Sequence, residues 1–141
     1  MNVRTIELSD SEQVAKLMGQ LGYDASAALI RSKISEFKPR EFDEIYVACE
    51  GQQVLGCISC HITSVFHKQG SSGRITSLAI DESVRGKGVG KLLVAAADTY
   101  FLSKGAIQAE VTSGDHRADA HSFYESQGYK RDERRFIKRY I

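Results

Sequence analysis

Residues Val84–Leu93 read VRGKGVGKLL. Gly86, Gly88 and Gly90 alternate with Lys87 and Val89, and Arg85 stands just before them. Glycine favours neither helix nor strand, so three in five positions mark a sharp passage between elements. Upstream, RITSLAI (74–80) has the composition of a strand. Downstream, Val89, Leu92, Leu93, Ala96 and Tyr100 predict the apolar stripe of a helix from about Gly88 to Lys104, stopped by Gly105. The first turn of such a helix has four unpaired N–H donors, and its dipole adds partial positive charge. Glycine lets an anion approach that backbone closely. With Arg85, Lys87 and Lys91 adding full charges, the loop suits a pyrophosphate.

Two familiar phosphate motifs do not fit. A P-loop needs Gly, four residues, then Gly-Lys-Ser/Thr, but Leu92 follows Gly90-Lys91. A dinucleotide fingerprint begun at Gly86 needs its third glycine at position 91, which is lysine.

Outward from the loop, the elements follow one another without a linker. VRTIEL (3–8) is a short strand. A helix follows, with Ser9 and Glu12 at capping-box spacing and Val14, Leu17, Met18 and Leu21 on one face. SAALIRSKISEF (26–37) is a second helix, with Ile30, Ile34 and Phe37 on its stripe, stopped by Pro39. EIYVACE (44–50) and QVLGCISCHITSVF (53–66) form a hairpin, and KQGSSG (68–73) reads as a loop. After the long helix come a strand at 106–112, a loop (SGDH), a helix at 117–127 and a last strand at 134–140. The predicted order is β-α-α-β-β-β-α-β-α-β, an α+β single domain over 1–141 with a mixed central sheet flanked by helices. The 74–112 unit should be a right-handed parallel crossover.

The chain has 141 residues, 42% of them hydrophobic, enough for a core of its own. A net charge of +1 gives no bulk attraction to nucleic acid or to an anionic membrane. No apolar run is long enough to span a bilayer, and MNVRTIELSD lacks the apolar region of a signal peptide, so a cytoplasmic protein is expected. Cys57 and Cys60 have C-x-x-C spacing but lie on a strand, where residues three apart face opposite sides. They are read as structural, and no metal site is expected. The basic C-terminal residues, interrupted by Asp132 and Glu133, read as a solvated strand. His116 and His121 flank the start of the last helix and read as surface residues.

Two stretches together resemble a known family. RGKGVG (85–90) fits the Arg/Gln-x-x-Gly-x-Gly/Ala signature of the GCN5-related N-acetyltransferases. AHSFYESQGY (120–129) resembles their second signature, Ala-x-x-Phe-Tyr-x-x-x-Gly-Phe/Tyr, and RRFIKRY resembles their closing strand. The likeness is tight over 73–140 and loose over 1–72. Among subfamilies the chain looks closest to the small-amine and aminoalkylphosphonate acetyltransferases.

The resemblance implies acetyl-CoA as cosubstrate, with its pyrophosphate on the amides of Arg85, Gly86, Lys87, Gly88, Val89, Gly90 and Lys91. It implies a pantetheine arm paired with Leu78, Ala79 and Ile80, a contribution from Arg117, and Tyr124 as the acid that protonates the leaving thiolate. Relatives often form homodimers. Many carry a carboxylate in the strand before the loop, where this chain offers Arg74, Thr76 and Ser77. Arg74 suggests an acidic group on the acceptor amine. Candidate bases are His61 and Glu110, and a water-mediated route with Ser77 or Thr76 as relay is favoured over either. The expected activity is direct acetyl transfer to a primary amine of a small molecule or protein in a ternary complex. The alternatives are an acyl-CoA-binding sensor or partner domain of the same fold, and a nucleotide-binding protein.

Overall fold

The computed structural model describes residues 1–112, 118–132 and 135–141. Strand β1 (Asn2–Thr5) leads through a short 3-10 turn into helices α1 (Ser11–Gln20) and α2 (Ala27–Phe37). Strands β2 (Asp43–Glu50), β3 (Gln53–Ser64) and β4 (Ser71–Ile80) follow, then helix α3 (Val89–Ser103), strand β5 (Ala106–Val111) and helix α4 (Ala118–Ser126). The five strands lie in chain order in one sheet. β1 to β4 pair antiparallel, and β4 pairs with β5 in parallel through the α3 crossover.

β3 explains the layering. Its residues Val54 to Cys60 are all buried, as a strand covered on both faces requires. On one face Val47, Cys57 and Ala79 pack with Val14 and Leu17 of α1 and Ile34 of α2. On the other, Ile58, Cys60 and Ile75 pack with Val89, Leu93, Val94, Ala97 and Phe101 of α3. Cys57 and Cys60 thus lie on opposite sides of the sheet. Among the described residues no group of three or more His, Cys, Asp or Glu could hold a metal ion. No described helix is long and apolar enough to cross a membrane.

The α+β class and the mixed sheet are as expected, with four differences in detail. The last strand, expected at 134–140, is not formed by residues 135–140, whose side chains are exposed and pack on no sheet edge. β4 begins at Ser71 inside the expected 68–73 loop. The buried stripe of α3 includes Val94, Ala97 and Phe101, while Leu92 is exposed, because this helix is apolar around most of its circumference and periodicity cannot fix its phase. The first helix is preceded by Asp10, whose carboxylate accepts the Glu7 N–H at 2.8 Å, in place of the Ser9/Glu12 box.

Candidate active site

The site begins with one extra residue in β4. Ser59 pairs with Ser77 and the next β3 residue, Cys60, pairs with Ile75, so Thr76 is a β-bulge. A bulge sets two residues of one strand against one of its neighbour and breaks the strict alternation of faces. Thr76 and Ser77 therefore both reach Ser59. The Ser59 Oγ is 2.7 Å from Thr76 Oγ1 and 2.6 Å from Ser77 Oγ.

The same place ends a ladder. β4 and β5 pair from Ser71↔Ala106 to Ile75↔Val111, and no described residue of β5 pairs with β4 beyond that point. Among the described residues, 76–80 thus pair with β3 on one side and with no strand on the other. Such an edge can take an extended amide-bearing arm as an added strand. Leu78, Ala79 and Ile80 lie on it, and the Arg85 Nε donates to the Ile80 carbonyl at 3.3 Å.

β4 then runs into the glycine loop. Gln20 of α1 fixes its start by accepting the Glu82 N–H and donating to Asp81. Gly86 and Gly88 have φ of +79° and +87°, the left-handed region that glycine alone enters cheaply. Gly88 caps α3 without a side-chain hydrogen bond, so the first-turn amides stay open to a ligand. A Cβ at Gly86 or Gly88 would meet no described atom within 4 Å, as expected of a cradle with free space above it. Arg85, Lys87 and Lys91 are exposed around it, while Val89 turns its side chain into the core. Gly90 has a different reason: a Cβ there would lie 3.0 Å from the Phe123 Cζ. Gly90 seats α4 on α3.

Tyr124 follows Phe123 on α4. It is half-buried and packs edge-on against Phe123 and Tyr129, with ring centroids 5.4 and 6.1 Å away. Arg117, His116 and the rest of the SGDH loop lie outside the described residues. His121 is held by Arg131 at 3.1 Å.

Beside the bulge, two residues join the site that the sequence did not single out, Ser59 and Asp43. His61 Nδ1 is 2.6 Å from Asp43 Oδ1, and His61 Nε2 is 2.6 Å from Thr76 Oγ1. Glu110, the other candidate base, faces Arg74 at 3.8 Å on the exposed end of β5. Arg74 also donates to Thr112 at 3.2 Å. On the α1/α2 face, a cavity of about 130 Å³ is lined by Val14, Met18, Ile30, Ile34 and Phe37, with Ser59 and Ser77 on the sheet side.

Residues 12–129 match the model of the Acetyltransferase (GNAT) family. This chain belongs to the GNAT family. A stretch of 92 residues is 34% identical to an aminoalkylphosphonate N-acetyltransferase of Salmonella typhimurium. The match covers 65% of this GNAT chain and 60% of the Salmonella protein, so it spans less than two thirds of that relative. Two solved structures share the fold. A transcriptional regulator from Bacillus halodurans C-125 superposes with a TM-score of 0.87 at 23% identity, covering 99% of each chain. Glucosamine-6-phosphate N-acetyltransferase from Arabidopsis thaliana superposes at 0.83 with 23% identity, covering 99% of this GNAT chain and 98% of that one.

Proposed function

We propose that this GNAT chain, as one domain over 1–141, transfers the acetyl group of acetyl-CoA to a primary amine. One observation carries the reading: β4 parts from β5 at Ile75, directly ahead of a glycine loop that opens α3 with uncapped amides. The loop over 85–91 takes the pyrophosphate, with the contribution from Arg117 that the family resemblance implies. The edge of Leu78, Ala79 and Ile80 takes the pantetheine amides. An arm laid from the loop back along that edge brings its thioester to the bulge at Thr76 and Ser77.

The acceptor enters from the other face. The cavity lining supports an amine with an apolar body, its nitrogen at the Ser59 and Ser77 hydroxyls. An acidic group on that amine would be read by Arg74, in competition with Glu110. The amine attacks the thioester carbonyl, and the thiolate of coenzyme A leaves. Tyr124 donates its phenolic proton to that sulfur and recovers it from water. A phenolic O–H is a hydrogen-bond donor, which suits it to that role.

The test is thiol release from acetyl-CoA across a panel of aliphatic and aromatic amines, amino acids, aminophosphonates and a lysine peptide. Calorimetry of coenzyme A binding runs beside it. Transfer to an amine supports the enzyme. Binding without transfer supports the acyl-CoA sensor, and absence of both overturns the reading. Tyr124→Phe keeps the ring and removes the hydroxyl. It should lower kcat by roughly 10²–10⁴-fold with coenzyme A affinity little changed. Wild-type kcat in that variant, with acetyl transfer limiting turnover, removes Tyr124 from the acid role.

A further inference from the structure

An amine that reaches the thioester as an ammonium ion has no lone pair and must lose a proton first. β4 holds no carboxylate to take it. The bulge supplies another route. From the floor of the cavity, Ser77, Ser59, Thr76, His61 and Asp43 form one unbroken chain, with links of 2.6, 2.7, 2.6 and 2.6 Å. Every link is within the range of a strong O–H···O or charge-assisted contact.

The direction of the chain follows from its end. An ionised carboxylate only accepts, so Asp43 takes the His61 Nδ1–H and leaves Nε2 with its lone pair. Thr76 must then donate to Nε2, Ser59 to Thr76, and Ser77 to Ser59. That leaves the Ser77 oxygen with a free acceptor position, on a residue that lines the cavity.

We infer that this chain is a proton relay from the acceptor amine to the His61 imidazole. It rests on the acetyl-transfer reading above. The ammonium gives a proton to Ser77 Oγ. Ser77 passes its own to Ser59, Ser59 to Thr76, and Thr76 to His61 Nε2. The amine gains its lone pair, His61 becomes imidazolium beside Asp43, and three hydroxyls reverse their donors. The proton leaves His61 to water, since its side chain is 19% exposed. Within the relay Ser77 takes the proton from the amine; Ser59, beside it in the cavity lining, Thr76 and His61 carry that proton onward, and Asp43 positions His61.

Charges around the imidazole arrive from several elements. Arg40, just after α2, lies 3.8 Å from Asp43 and 3.6 Å from Glu36. Lys33 of α2 pairs with Glu36 at 3.2 Å. Arg74 is the register partner of His61 on β4 and turns to Glu110 of β5. The edge of Phe37 closes the ring, with centroids 5.6 Å apart. Asp43 is therefore the one carboxylate in hydrogen-bond contact with His61 among the described residues.

The experiment is the pH profile of kcat for the wild type, His61→Gln, Asp43→Asn, Thr76→Val and Thr76→Ser, with the best amine of the panel. Thr76 is exposed, so its valine variant folds even if a His61 variant does not. His61→Gln and Thr76→Val should each lose about 10²-fold in kcat near neutral pH. The loss should shrink as pH rises toward the amine's own pKa, where the amine sheds its proton unaided. Thr76→Ser should recover most of the loss, Asp43→Asn should fall between, and acetyl-CoA affinity should hold in all. An equal loss at every pH, or wild-type kcat in Thr76→Val, overturns the relay alone. A wild-type chain that releases no thiol with any amine overturns the acetyl-transfer reading and the relay with it.

Discussion

Asp10 is 3% exposed, an unusual place for a carboxylate. Arg4 grips it with two bonds of 2.8 and 2.9 Å, and the Glu7 N–H adds a third. The Arg4 hydrogen bonds hold its carboxyl below the usual carboxylate range, against the opposing effect of burial. Stability from the ionised form is therefore complete above about pH 4 and drains away as pH falls through the lowered native value. Asp10→Asn leaves a partly exposed guanidinium without its partner. It should cost about 2–3 kcal/mol at pH 7, less than a fully buried pair because water reaches Arg4. In urea titrations, the gap between variant and wild type should narrow below pH 4. A gap that stays constant with pH would show that Asp10 acts by packing alone.

The glycine loop separates glycines by purpose. Gly88→Val puts a branched side chain at φ +87° in the space above the cradle. It should cut coenzyme A affinity by more than tenfold, by filling that space and by straining the loop at a cost of about 1–3 kcal/mol; calorimetry on the folded variant is the check. Gly73 is the case the sequence conceals. Its Cβ would lie 2.5 Å from the Phe101 ring, so a residue that looks like loop is a strand position fitted to an aromatic. The loop-to-helix passage, the hairpin and the crossover were legible because local residue types dictate them. The site was legible only in part, because two bulges are silent in the sequence. Counted back from Glu50↔Gln53, Asp43 would face Cys60; a register shift at Ala48/Cys49 brings it to His61 instead. The bulge at Thr76 does the same for Ser59. Such offsets come from packing and twist over the whole sheet, and periodicity cannot reveal them.

At the scale of the molecule, the sheet separates two kinds of business. The α3 side carries the glycine loop and Tyr124's helix; the α1/α2 side carries the cavity. Ser77 belongs to both: it lines the cavity and lies on the stretch of β4 beyond its described pairing with β5. The layers that cover the sheet also enclose its three sulfurs. Cys49, Cys57 and Cys60 are at most 3% exposed, and burial pushes the Cys57 and Cys60 thiols up to about 12. A thiol reacts as its thiolate, so the folded chain should be almost silent to a disulfide-exchange dye near neutral pH. Every equivalent of colour in a turnover reaction then belongs to released coenzyme A. Added guanidinium should release three further equivalents per chain in one step. The same dye thus serves as an internal counter of unfolded molecules, separating a variant that has lost its chemistry from one that has lost its fold.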